Sequence, residues 1–122
     1  MAVAVWERPD TVDLFAVVRA VSALLPGPPA TRSLLDPGAL ERAMAGVGLD
    51  VEESSDHQSA FEFPDDETML RQMCAAGGMV RAIREVGEDA VRRALWEAME
   101  QFRVAGGGYR LENPWHLAVA TR

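Results

Sequence analysis

The run Ala2-Val-Ala-Val-Trp6 is apolar at every position. Strict alternation would mark a strand with one wet face. An unbroken apolar run of this length suits a strand buried on both faces, the usual environment of a parallel α/β sheet. A strand of that kind cannot stand alone: its edge and both faces need neighbours. Whatever this chain of 122 residues folds into must therefore supply cover for residues 2–6.

The rest of the sequence reads as alternating helices and strands. Asp10 is placed to cap a helix running to about Leu25, with Asp13 in the capping-box position. Its apolar stripe is Leu14, Phe15, Val18, Val21 and Leu25. Pro26-Gly-Pro-Pro29 ends it, because proline cannot continue a helix; residues 26–35 read as irregular. Asp36-Pro37 predicts an N-cap and first helical residue, opening a helix over 37–46 that buries Leu40 and Met44. Residues 49–61 read as a strand on which Glu53, Ser55, His57 and Ser59 share a face. Asp65 caps a helix over 66–76, Gly77-Gly78 breaks it, and helices follow over 79–86 and from Gly87 to about Arg103. After the turn Ala105-Gly-Gly-Gly108, the residues Tyr109, Leu111, Trp115, Leu117 and Val119 read as a final strand.

Composition excludes several function classes. With 12 Lys+Arg against 19 Asp+Glu, the net charge of -7 argues against binding nucleic acid or an anionic membrane, since phosphate contacts need cationic side chains. The basic residues Arg81, Arg84, Arg92 and Arg93 alternate with Glu85, Glu88 and Asp89 and read as solvated helix faces. The single cysteine, Cys74, permits no intrachain disulfide and no thiolate cluster, and it reads as a buried thiol without an activating base. No apolar run approaches the roughly 20 residues of a membrane span, and no leader segment is evident; a cytoplasmic location is the expectation.

No individual motif specifies a catalytic site. Gly46-x-Gly48 follows a helix and lacks a third glycine, so it reads as a C-cap rather than a dinucleotide loop. Asp56 points to the face opposite His57, so it is not placed to orient that ring. His57 reads as a structural or surface residue, with ligand contact the competing reading, and His116 as a structural histidine. Asp65, Asp66 and Glu67 suit a helix start without any metal. Met69, Met73, Met79 and Met99 suit core packing or an adaptable apolar groove.

In its order of elements the chain resembles the C-terminal half of class I S-adenosylmethionine-dependent methyltransferases of the small-molecule type. The resemblance is carried by Ala2–Trp6 as the fifth strand and by Asp36-Pro-Gly-Ala-Leu-Glu41 through Gly48-Leu-Asp-Val51 as helix and sixth strand. Phe61-Glu-Phe-Pro-Asp65, Gly87-Glu-Asp-Ala-Val-Arg92 and Gly107-Gly-Tyr-Arg-Leu-Glu-Asn113 continue it. It implies an α/β fold: a partial Rossmann-like domain over 1–122, with a three-stranded mixed sheet (2–6, 115–120, 49–61), about five helices and a helical insert over about 65–86. It implies no cofactor-binding residue here, because the family's glycine-rich loop precedes the fifth strand. S-adenosylmethionine would enter only if a partner supplied the missing half.

The leading expectation is thus a methyltransferase-like protein without its own cofactor site that binds an apolar small molecule or a partner protein. The candidate ligand pocket is Trp6, His57, Met69, Met73 and Met79, with no catalytic or metal-binding residue assigned. One alternative is the C-terminal subunit of a split methyltransferase; another is a small cyclase or isomerase using the substrate-side pocket. Residues 2–6 predict a homodimer, or a complementing N-terminal-half protein, covering that strand.

Overall fold

The computed structural model describes residues 1–28 and 33–122, so the expectation of irregular structure at 29–32 lies outside the described residues. The chain divides into two compact units. The first comprises Met1–Asp13, Ala30–Ala60 and Glu112–Arg122; the second comprises Leu14–Pro29 and Phe61–Leu111.

Among its described residues the first unit is a three-stranded sheet carrying one α-helix. Strand β1 (Ala2–Trp6) lies beside the last strand, Trp115–Thr121, which in turn lies beside β2 (Asp50–His57). Both pairings are antiparallel, with Ala4 opposite Leu117 on one side and Asp56 opposite His116 on the other. A bulge between Val51 and Glu53 shifts the register of β2. Helix α2 (Ala39–Gly46) follows a 3-10 turn at Ser33–Leu35. It lays Leu40 and Met44 on Ala118 and Ala120, with Val3, Val5 and Leu49 packed around them. Alanines on the last strand let the helix approach closely, and the exclusion of water from this patch stabilises the unit.

The second unit is helical. Helices α1 (Leu14–Ser22), α3 (Asp66–Cys74), α4 (Gly77–Val86) and α5 (Glu88–Met99) surround a core that includes Val17, Met69, Met73, Met79, Leu95 and Met99. Apolar residues of α5 recur at Val91, Leu95 and Met99, one helical face fully withdrawn from water. Phe63 of β3 (Ala60–Phe63) and Tyr109 and Leu111 of β4 (Tyr109–Glu112) join that core, and these strands pair as a two-stranded sheet. The final strand, Trp115–Thr121, is β5.

These features correct the fold read from element order. A Rossmann-like methyltransferase unit is built on parallel neighbours, whereas every strand pairing here is antiparallel among the described residues. The three strands do form one sheet in the expected order, with 115–120 between 2–6 and the strand within 49–61, but both pairings are antiparallel rather than mixed, and the terms methyltransferase-like and truncated Rossmann-like do not describe this chain. The correct description is a small α/β arrangement with two open sheets and five α-helices among the described residues. Residues 49–61 divide between β2 and β3, and these belong to different sheets. The final strand also divides: Pro114 has no N–H to give to a ladder, and β4 ends at Glu112 while β5 begins at Trp115.

Local boundaries shift for physical reasons as well. Asp10 spends its carboxylate on Arg8, with contacts of 2.5 and 3.1 Å, and Asp13 accepts the Glu112 N–H at 2.7 Å; α1 accordingly starts at Leu14. Helix α2 starts two residues after Pro37, behind Gly38 in the left-handed region at φ 72°. Asp65 does cap α3, accepting the Thr68 N–H at 2.7 Å.

Candidate functional site

Alternation along a strand sends Ser54 and Asp56 to the same face of β2, and the antiparallel register sets Asp56 directly opposite His116. Helix α2 crosses that face and brings Glu41, in its first turn, to the same ring. The imidazole is therefore held from both sides. Nδ1 lies 2.5 Å from Asp56 Oδ1, and Nε2 lies 2.5 Å from Glu41 Oε1. The Ser54 hydroxyl donates to the same Glu41 oxygen and sits 2.9 Å from Nε2.

Electrostatics assign the protons. The hydrogen bond to Asp56 raises the His116 pKa; burial opposes it, and Glu41 adds to the rise. Glu41 is held down to about 2, first by the Ser54 hydroxyl, then by its backbone hydrogen bond and by His116. A carboxylate oxygen 2.5 Å from each ring nitrogen calls for a donor at both, which the imidazolium supplies. Glu41 Oε2 is buried with no hydrogen-bond partner among the described residues.

Ser54, His116 and Asp56 stand in the order nucleophile, base, orienting acid. The order alone does not make a nucleophile. A general base needs an unprotonated Nε2 to take the hydroxyl proton, and here Nε2 gives its proton to Glu41, as Ser54 does. The cluster ties α2 to β2 and β5 and presents charge; it does not activate Ser54. Nor do the two carboxylates converge on one metal position, since they occupy opposite nitrogens of the ring.

This cluster forms one wall of a cavity of about 500 Å³. Val5, Trp6, Leu34, Leu35 and Leu40 give it apolar surface, while Glu41, Asp56 and His116 enter with their polar groups. Glu7, Arg8 and Asp36 also line it.

The residues expected to form a pocket fall into two sets. Trp6 lines this cavity, and His57 lies in the same cross-sheet row, since both are register partners of Trp115. His57 stacks on Trp115 with ring centroids 4.4 Å apart, and its Nε2 is 2.9 Å from Ser55 Oγ. Met69, Met73 and Met79 are buried together in the core of the second unit. Burial pushes the Cys74 thiol pKa up, so it stays protonated and unreactive at neutral pH.

Glu41, Ser54, Asp56 and His116 were not recognisable as a group from sequence. The parity that separates Asp56 from His57 was the available signal: it directs Asp56 to a face where another strand's histidine can meet it. No helix among the described residues is long and apolar enough to cross a membrane. Comparison with protein-family models and with curated protein sequences finds no match to this chain.

Proposed function

We propose that the first unit is a small-molecule-binding module. The observation that carries this reading is the cavity itself: about 500 Å³, apolar on the side of Val5, Leu35 and Leu40, with charged groups gathered at Glu41, Asp56 and His116. Ligand sites in proteins commonly have about 300–1,000 Å³, mostly apolar walls and a few converging polar groups. The imidazolium clamp holds Glu41 and Asp56 in fixed positions, so little conformational freedom is lost when a ligand arrives.

The test is a fragment screen read by nuclear magnetic resonance of the whole chain. Binders should perturb Val5, Leu40 and His116 together, and Leu34→Trp, which fills the cavity from a partly exposed position, should abolish the effect. Perturbations scattered elsewhere, or undiminished by Leu34→Trp, would overturn the reading.

A second reading concerns self-association, and the contrast between the two sheet edges favours it. Edge strand β2 carries Asp50, Glu52, Glu53 and Asp56 and a bulge, all of which discourage pairing with another chain. Edge strand β1 has no charge, proline or bulge within Ala2–Trp6. A second copy pairing antiparallel along β1 would join two three-stranded sheets into one. Light scattering should then give the mass of a dimer, and a monomer across the micromolar range would remove this reading.

A further inference from the structure

We infer, resting on the small-molecule reading of the cavity, that its ligand is a small organic cation: an ammonium or guanidinium group on an apolar body, received at Glu41 and Asp56. The charged groups of the lining are Glu7, Asp36, Glu41 and Asp56 against Arg8 and His116. Arg8 is already engaged by Asp10, through its Nε at 3.1 Å and its terminal nitrogen at 2.5 Å. His116 divides its one positive charge between two carboxylates, so the cluster of three keeps a negative excess. An anion entering there meets repulsion, and a neutral hydroxyl gains little. A cation gains Coulomb attraction in a partly desolvated wall.

Glu41 supplies an independent argument. Its Oε1 is committed to His116 and Ser54, while Oε2 is buried without a hydrogen-bond partner among the described residues. Because that oxygen is closed to solvent, it acts on a ligand through its charge in the cavity wall, while the exposed carboxylate of Asp56 can make the direct contact. The apolar residues Val5, Leu34, Leu35 and Leu40 then accept the hydrocarbon part. A primary amine on a short aryl or alkyl chain combines these properties within the available volume.

The experiment compares three probes of one shape on the full chain at neutral pH: phenethylamine, phenethyl alcohol and hydrocinnamate. Affinities are read from the His116 and Val5 resonances. Phenethylamine should bind about tenfold or more tightly than the alcohol, as a charge-assisted hydrogen bond predicts, with hydrocinnamate the weakest. Glu41→Gln should reduce phenethylamine affinity by a similar factor, a much larger loss than the alcohol suffers. If Glu41→Gln does not fold, Asp56→Asn carries the same test, because that side chain is 73% exposed and tolerant of change. Equal binding of amine and alcohol, preference for the carboxylate, or indifference to removal of the acids would overturn the cation inference while leaving the pocket. Failure of all three probes to move the His116 and Val5 resonances would overturn both.

Discussion

His116 and Glu41, 75 residues apart in sequence, meet at 2.5 Å through Nε2 and Oε1, while the other ring nitrogen of His116 lies 2.5 Å from Asp56. One imidazolium thereby fastens helix α2 to the β2–β5 ladder. Burial of Leu40 and Met44 drives the helix onto the sheet, and this clamp fixes its position along the strands.

The clamp makes stability depend on pH from both sides. His116, raised by Asp56 and further by Glu41 against the effect of burial, contributes stability that is complete below its ordinary 6.5. That contribution fades as pH rises through the higher value of the folded protein. Glu41, held down to about 2, contributes stability that is complete above its ordinary 4.5 and fades as pH falls toward 2. The clamp should therefore contribute most between pH 4.5 and 6.5. Denaturant midpoints of the wild type and His116→Gln, measured across pH, should differ most within that window. Because the pair is partly exposed, the difference should be about 1 kcal/mol. A pH-independent difference would show that the clamp is not ionic.

Proton placement at Nε2 yields a second expectation. With Nε2 donating to Glu41, Ser54 has no base, so a serine-directed fluorophosphonate should leave the wild type unlabelled. Glu41→Gln removes one of the two charges that stabilise the imidazolium, and the His116 titration followed by nuclear magnetic resonance should move to lower pH. Labelling of Ser54 in the wild type, or an unmoved His116 titration, would contradict the assignment of protons.

What was legible in the sequence had a local cause. Asp65 three residues before Thr68 is a cap whose partner lies within one turn, and it forms as read. Val91, Leu95 and Met99 repeat at the helical period and lie buried as a stripe. The illegible parts depend on pairing across long separations. Nothing near Asp56 indicates that its partner is His116, and nothing near Leu49–Phe61 shows that the chain changes sheets after His57. The alternation of Tyr109, Leu111, Trp115 and Leu117 reads as a single strand, and Pro114 was its one local sign of a break. Element order alone suggested the methyltransferase resemblance, because order carries no information about strand direction.

In the second unit, neighbouring residues of α5 should respond very differently to truncation. Leu95 is fully buried among Val91, Met99 and the methionines of α3 and α4, whereas Trp96 is 44% exposed. Leu95→Ala removes buried methyl groups and leaves a void, at about 2–5 kcal/mol. Trp96→Ala should cost well under half of that, since much of the ring is already in water. Thermal or denaturant unfolding of the two variants checks the order, and a larger loss from Trp96→Ala would reverse the assignment of the inward face.

The glycines of the loop before β4 are required for different reasons. A Cβ on Gly108 would lie 2.6 Å from the Phe63 carbonyl oxygen, a backbone atom that cannot rotate away. At Gly106 nothing lies within 4 Å, but φ is +96°, a conformation that a side chain disfavours. Gly108→Ala should therefore destabilise the second unit by about 1–3 kcal/mol through the clash. Gly106→Ala should destabilise it by about 1 kcal/mol through backbone strain alone. Substitution with D-alanine by chemical ligation separates the causes, because it relieves strain at a positive φ. It should restore stability at Gly106, and a D-alanine variant no more stable than Gly106→Ala would contradict the strain.

Strand β1 gives the last expectation. Its pairing with β5 satisfies one edge, and Ala4, at its midpoint, is exposed. If a second copy pairs along β1, Ala4 of each protomer lies near the symmetry axis, so Ala4→Lys sets two like charges close together. Such a pair opposes association across strands. The variant should sediment as a monomer where the wild type is a dimer, with an unchanged circular dichroism spectrum because Ala4 packs into no core cluster. Ala4→Val, which keeps the strand apolar and raises its β-propensity, should remain dimeric. A dimer that survives Ala4→Lys with undiminished affinity would place the association on another surface.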